Sequence, residues 1–377
     1  MSPARRHTPY HDKFVELGAE LGDRIGFDAA VVFSSTEEEH LATRNAVGIY
    51  DVYYQGPIDI KGPDAGALLQ NVLARDVERR LADGGVLYSS LCNEAGGMID
   101  DLTAYRLSAE HFWLIATPAR AETVEAWVRG HAQGTRAYIT NCVSGTAYLS
   151  VQGPRSRDLL AALTPNADLS TEALPYYRFV QTQVAEVPTL LSRTGYSGEL
   201  GYELYYPRDY ASHMWDAVSA AGATLGAKPA GLGALRSTRM EKKYPLYGLD
   251  ISEETSPLEA ALGWAVDLEG APFVGRDALL RQRDEGVTRT LVGIEFPDTA
   301  FLPAAGDTFS TGGRDVGKVT SSGTGWFLGK NLAMGYVDPS VTADTEVMVT
   351  SAASGASAKG TLTDKAFYDP DRERVRS

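Results

Sequence analysis

Two short stretches place acids among tyrosines in patterns that could do chemistry. The first, Asn93–Leu102, reads NEAGGMIDDL. Side chains alternate sides along a strand, so Asp100 and Asp101 point to opposite faces and cannot share a proton as a dyad. One face takes Met98, Asp100, Leu102 and Ala104; the other takes Ile99, Asp101, Thr103 and Tyr105. Asp101 therefore stands beside a threonine and a tyrosine among apolar neighbours. Burying a carboxylate without partners costs about several kcal/mol, so such an acid is paired, solvent-facing or functional. The second stretch, Arg193–Tyr206, reads RTGYSGELGYELYY, with Glu203 and Tyr205 on one face and Tyr202 and Leu204 on the other. An acid in a tyrosine-rich hairpin suits a planar heterocycle rich in N–H donors. The ring stacks, and each hydrogen bond to the carboxylate is worth about 1.5–3 kcal/mol. The bland alternative is an edge strand guarded by charge.

Other chemistries lack their residues. No Gly-x-Ser-x-Gly elbow and no phosphate loop ending in Gly-Lys-Ser/Thr occurs. Gly231-Leu232-Gly233 precedes a helical pattern, but the third glycine of a dinucleotide fingerprint is missing. His7 and His11 have the spacing of a helical metal pair, yet Pro9 lies between them and no third ligand follows, so the stretch reads as a surface arm and no metal is expected. Cys92 and Cys142 are too few for a disulfide framework or a thiolate cage, and both read as inert buried thiols.

The elements that must position the acids are legible. Val86–Cys92 and Met98–Leu107 read as a hairpin around Asn93–Gly97, and Thr189–Thr194 with Gly201–Tyr206 as a second. Strand, Gly-Pro and helix recur as PIDIK, Gly62-Pro63, Ala65–Leu73 and as AYLSVQ, Gly153-Pro154, Ser156–Leu163. That recurrence predicts two related α+β lobes rather than a solenoid. Helices are expected over residues 209–225, over Leu232–Lys243, and from the capping box Ser256-Pro257-Leu258-Glu259. Beyond residue 288, short alternating segments (Leu291–Glu295, Val316–Thr320, Leu332–Val337, Glu346–Thr350) predict a small antiparallel β-barrel. Charged Arg281–Arg289 marks the boundary, giving domains 1–285 and 286–377, and Asp369–Ser377 reads as a solvated tail.

Composition limits the remaining classes. The 377 residues carry 35 Lys+Arg against 49 Asp+Glu, a net charge of −14, with 44% apolar residues. Disorder needs far lower hydrophobicity, and nucleic-acid binding needs clustered basic residues, so neither is expected. No secretory h-region and no apolar run long enough for a membrane span occurs, which predicts a soluble cytoplasmic protein.

Taken together, these stretches resemble the aminomethyltransferase family, the glycine-cleavage T-protein and its tetrahydrofolate-dependent relatives. The resemblance runs in order through GIYDV (48–52), IDIKGPDA (58–65), Asn93–Leu102, VQGP (151–154), Arg193–Glu203, STRMEK (237–242), FVGRDALL (273–280) and LGKNLAMGYVDP (328–339). It implies an α+β, three-lobed cloverleaf-like fold that binds tetrahydrofolate centrally, its last lobe a small barrel. Asp101 matches the family's catalytic aspartate. Tyr88 and Tyr105 match residues lining the folate slot, and Tyr196 and Glu203 match those holding the pterin. Arg236, Arg239 and Lys243 offer a basic helix face for the folate glutamate tail.

Two departures bear on the donor. Leu235-Arg236-Ser237-Thr238-Arg239 stands where the T-protein has Arg-Asp-Ser-Leu-Arg, and Asp51-Val52-Tyr53-Tyr54-Gln55 where it has Asp-Val-Ser-His-Met. Tyr53 or Tyr54 then contacts a small methyl donor, or else fills a lobe interface. The changed pocket favours a demethylase moving a methyl or methylene group from an N-, S- or O-methyl donor to N5 of tetrahydrofolate. The alternative is a T-protein acting on a lipoyl carrier protein. A third reading is a non-catalytic folate-binding protein of iron–sulfur maintenance, whose Lys-Gly-Cys-Tyr-x-Gly-Gln-Glu motif is absent.

Overall fold

A computed structural model describes residues 5–377. The first lobe is a six-stranded sheet in the order Phe179–Val184, Val187–Ser192, Gly201–Pro207, Thr146–Gln152, Val47–Tyr50, Ala227–Ala230. Its inward face (Leu149, Val151, Leu191, Tyr202, Leu204) is covered by Leu159 and Leu160 of one helix and by Met214, Trp215 and Val218 of another. The second lobe orders five strands as Val86–Cys92, Met98–Ser108, His111–Ile115, Ile58–Lys61, Tyr138–Asn141. Leu68, Leu69 and Val72 of helix Ala65–Val72 and Val124 and Val128 of helix Ala121–His131 complete its core. From Thr290 onward six strands close into an antiparallel barrel. The α+β class and the terminal barrel follow from hairpins that bury one face each.

The internal repeat has a steric cause. Gly62 and Gly153 adopt φ of +126° and +135° at matching strand-to-helix corners. A Cβ at either would run into a neighbouring carbonyl, that of Arg136 or Ala46. Only glycine meets both conditions.

Several expectations are corrected. Residues Arg6–His7, Phe27–Val32 and Glu20–Arg24 form a separate three-stranded sheet that the sequence pattern did not announce. The capping box at Ser256 closes reciprocally, with Ser256 N–H to Glu259 at 2.9 Å and Glu259 N–H to Ser256 at 3.1 Å. No α-helix follows it, because Ala261 at φ +57° turns the chain after one turn, and only the short 3₁₀ helix Gly263–Ala265 comes next. Asp369–Ser377 is docked rather than solvated. Lys242 holds Asp369 at 2.7 Å, Arg193 donates to the Ser377 carbonyl, and Val375 is buried. Cys92 is buried as expected, whereas Cys142 is only half-buried. Among the described residues no helix is long and apolar enough to cross a membrane.

Candidate active site

The tight turn before Asp101 is built from the Asn93–Gly97 residues. The Asn93 side-chain oxygen accepts the Ala95 and Gly97 N–H groups, both at 3.0 Å. A Cβ on Gly97 would run into the Glu253 carbonyl, so glycine there lets the 253–255 segment pack against the strand start. Leu91 then pairs with Asp100 and Cys92 with Met98, leaving Ile99 as the extra residue of a bulge. Ile99 joins Leu102 and Ala104 in the lobe core, and Met98 sits with Tyr88, the reverse of simple alternation. Past the bulge the alternation resumes, and Asp101 faces Tyr88.

The two adjacent acids have different surroundings. Asp101 accepts the Tyr88 hydroxyl at 2.9 Å, and burial lifts its carboxyl from the ordinary 3.8 to about 6. Asp100 is wholly buried and accepts the Thr117 N–H at 2.8 Å. Burial first, and the Asp101 charge second, push the Asp100 carboxyl well above the usual range. Its surroundings thus favour the neutral form of Asp100, a structural group, whereas Asp101 is an acid poised near neutrality.

Aromatic rings converge on Asp101 from several segments. Tyr88 stacks on Trp264 with centroids 5.3 Å apart, and the Arg372 and Arg75 guanidinium groups lie 5.5 and 6.0 Å from that indole. Tyr196 stacks on Tyr244 at 5.6 Å and donates its hydroxyl to the Pro245 carbonyl at 2.5 Å. Burial raises the phenols of both Tyr88 and Tyr196, and the Asp101 charge adds to it at each, at Tyr196 against a larger opposing effect of Arg239, so both sense the same acid. Burial raises the Tyr177 phenol, which Arg372 lowers and Glu203 raises in smaller measure. Tyr88, Asp101, Tyr177, Tyr196, Tyr244 and Glu203 all keep partial exposure amid buried neighbours, which describes a cleft that solvent reaches. Sequence reasoning missed Trp264, Tyr177, Tyr244, Arg75 and Arg372. The Pro175-Tyr176-Tyr177 run was the one available signal.

Glu203 is held from behind by hydroxyls. Register places Ser150 and Ser192 opposite it. Tyr148 donates to one carboxylate oxygen at 2.6 Å, and Thr194 to the other. Tyr105 approaches that second oxygen at 3.5 Å. Tyr105 itself is 0% exposed, so it backs Glu203 and does not line the cleft as expected.

The residues assigned to the donor or tail are not brought together at Asp101. Arg239 is buried and donates to Asp250 at 2.8 Å and to the Tyr244 carbonyl at 3.1 Å. It is a strut between helix Leu232–Glu241 and the barrel, where Asp250 also accepts Ser321 at 2.6 Å. Lys243 donates to the Asp364 carbonyl, so the helix offers no continuous basic face. Tyr54, at φ +55°, packs on Phe27 of the amino-terminal sheet at 5.2 Å. Tyr53 lies half-buried near Arg24 and Arg236, whose charges lower its phenol against the larger effect of burial.

Residues 10–270 match the GCVT N-terminal domain, and residues 289–369 the glycine cleavage T-protein C-terminal barrel domain. The chain is 40% identical to an aminomethyltransferase of Moorella thermoacetica over 332 residues, covering 88% of this chain and 89% of that one. It is 36% identical to one of Symbiobacterium thermophilum over 382 residues, covering 99% and 100%. The crystal structure of the glycine cleavage system aminomethyltransferase T from Bartonella henselae superposes with a TM-score of 0.87 at 28% identity, covering 97% of this chain and 98% of that one. The chain belongs to the glycine cleavage T-protein family and is a tetrahydrofolate-dependent one-carbon transferase.

Proposed function

We propose that this enzyme is an aminomethyltransferase: the one-carbon unit of an aminomethyl group on a lipoyl carrier protein passes to N5 of tetrahydrofolate and closes onto N10, with release of ammonia and of the carrier's dihydrolipoyl thiol. The observation that carries transfer to folate, whichever the donor, is Asp101: an acid lifted to about 6, hydrogen-bonded by one tyrosine, at the end of an aromatic cleft. The names of the relatives support this reading over the demethylase that the changed donor residues favoured, and reverse that order.

The residues present fit a reduced folate. Bound folate supplies a nucleophilic amine at N5. Glu203, fixed by Tyr148 and Thr194, accepts pterin N–H donors. Tyr88 and Trp264 offer ring faces, while Arg372 and Arg75 beside Trp264 meet the glutamate carboxylates. Asp101 keeps one oxygen free of the Tyr88 bond to orient the reacting amine and to take or return its proton, a role worth about 10²–10⁴ in rate. Holding amine and carbon in line supplies much of the rest.

A second reading, transfer from a small anionic methyl donor, is favoured by one specific feature. Among the described residues Arg236 has no acidic partner, and it stands with Arg24 around Tyr53. Mass analysis of the folate product separates the two. Incubation with aminomethyl-loaded lipoyl carrier gives 5,10-methylene-tetrahydrofolate under the main reading. Formation of 5-methyl-tetrahydrofolate from a panel of methylated acids, with none from the carrier, overturns it.

A further inference from the structure

We propose that His7, His11 and Asp28 form a site for a divalent transition metal of the zinc class, clamping the amino-terminal arm onto the three-stranded sheet. This goes beyond the transferase reading and does not rest on it. The sequence supplied a histidine pair without a third ligand and with Pro9 in the way. The structure resolves both objections. His7 closes the short strand Arg6–His7, and His11 opens helix His11–Glu16, so Pro9 sits in the corner that folds one ring back onto the other. The two imidazole centroids are 3.8 Å apart, edge to face.

The third ligand comes from sheet register. Strand Arg6–His7 runs parallel to Phe27–Val32 and places His7 directly beside Asp28. One ligand atom from each of His7, His11 and Asp28 lies within 4.8 Å of the others. Two ligands on one zinc ion, each about 2.0–2.1 Å from it, stand at most about 4 Å apart, so small side-chain rotations complete the set. His11 adds an independent sign: its Nδ1 is buried and has no hydrogen-bond partner among the described residues. A buried imidazole nitrogen left unpaired is unusual unless something absent from the protein binds there. Two imidazoles and one carboxylate, with a fourth position open to water, match the donor chemistry of zinc and its neighbours rather than of calcium or magnesium.

Asp28 has one competitor. Arg5 pairs with it at 2.7 Å, but the Arg5 side chain is 56% exposed, and such an ion pair is weak. A metal on Asp28 displaces it. The clamp would also reach the donor loop, because the Arg6 guanidinium lies 4.1 Å from the Phe27 ring centroid and 5.0 Å from that of Tyr54. Fixing His7 and His11 therefore fixes the residue that bridges the arm to the Tyr53–Tyr54 turn.

The test uses the full chain stripped of metal with a chelator. Zn²⁺ titration should show one equivalent bound, and Co²⁺ should give the visible bands of a low-coordinate nitrogen–oxygen site. His7→Ala, His11→Ala and Asp28→Ala should each weaken binding about tenfold or more, the loss that even an outer partner of a metal ligand causes. Arg5→Ala should tighten it, and His213→Ala, whose ring only contacts the Ala185 carbonyl, should leave it unchanged. Added Zn²⁺ should slow tryptic cleavage at Arg5 and Arg6 in the wild type and not in His11→Ala. Absence of stoichiometric Zn²⁺ binding overturns the proposal, and so does binding that survives His7→Ala and His11→Ala together. Unfolding of the metal-free variants at the wild-type temperature keeps loss of binding distinct from loss of fold.

Discussion

Replacing Asp101 by asparagine should stabilise the protein and disable it at once. The amide keeps an oxygen for the Tyr88 hydroxyl and removes the charge that burial disfavours. A rise from 3.8 to about 6 means that, at neutral pH, folding charges this carboxyl at a cost of up to about 3 kcal/mol relative to the unfolded chain. Between those two values the native state holds a proton that the unfolded chain has released. The stability owed to this group therefore falls as pH rises from 3.8 to about 6, and the full penalty persists above that. The Asp101→Asn variant carries none of it. For a chain of this size, up to about 3 kcal/mol corresponds to up to about 4 °C in Tm. The variant should melt higher near about pH 8, and its advantage should shrink below about pH 5, as the penalty on the wild-type acid fades. Turnover should fall about 10²–10⁴-fold. Thermal scans of folate-free protein across that pH range, with product analysis alongside, provide the measurement. An Asp101→Asn protein less stable than wild type near neutrality, or a gain independent of pH, would refute the assignment of Asp101 as an acid whose charge is disfavoured by its surroundings.

Two further outcomes follow from the same contacts. Glu203→Gln keeps the shape but loses the charge that accepts from Tyr148 and Thr194. It should raise the KM for tetrahydrofolate by about 10–100-fold with a smaller change in kcat, read by steady-state kinetics. Asp369→Ala leaves Lys242, whose side chain is 2% exposed, with the residue 369 carbonyl but no counter-charge, and should destabilise the protein by about 3–5 kcal/mol in urea unfolding. A solvated tail would show no such loss.

What was legible follows from what is periodic. Alternation along Met98–Ser108 aimed Asp101 at the tyrosines, and the Arg193–Tyr206 hairpin announced Glu203, because in a strand position alone decides the face. The bulge at Ile99 escaped notice because it inserts one residue without any composition signal, so Met98 and Ile99 were assigned to the wrong faces. Trp264, Arg75 and Arg372 were invisible for another reason. They reach the cleft from turns and from the last residues, where tertiary packing alone sets direction. The run DPDRERVRS looks solvated because a sequence does not show that Lys242 and Arg193 are buried and need its oxygens. Asp28 as a neighbour of His7 was likewise a matter of register between strands, not of spacing along one.

The same distinction locates what is unusual about this member of the family. On the proposed reading the folate side keeps its acids and rings, while the departures gather elsewhere. Leu235 packs with Tyr50, Ala230 and Ala234. Arg236, one step of about 100° further round the helix, is turned outward toward Arg24 and Tyr53. A cation shifted by one helical step changes what the protein meets without changing what it holds inside. Neutral packing at Leu235 preserves the core, and the exchanged charge at Arg236 faces the side bounded by the amino-terminal sheet. A donor carrying an anionic group would find two guanidinium groups there, whereas the interior acid at Asp101 would act on either donor alike. Donor choice is thus physically separable from the transfer step. Substitutions at Arg236 or Tyr53 should move the donor KM and leave folate binding intact, and those at Asp101 should cut turnover with either donor.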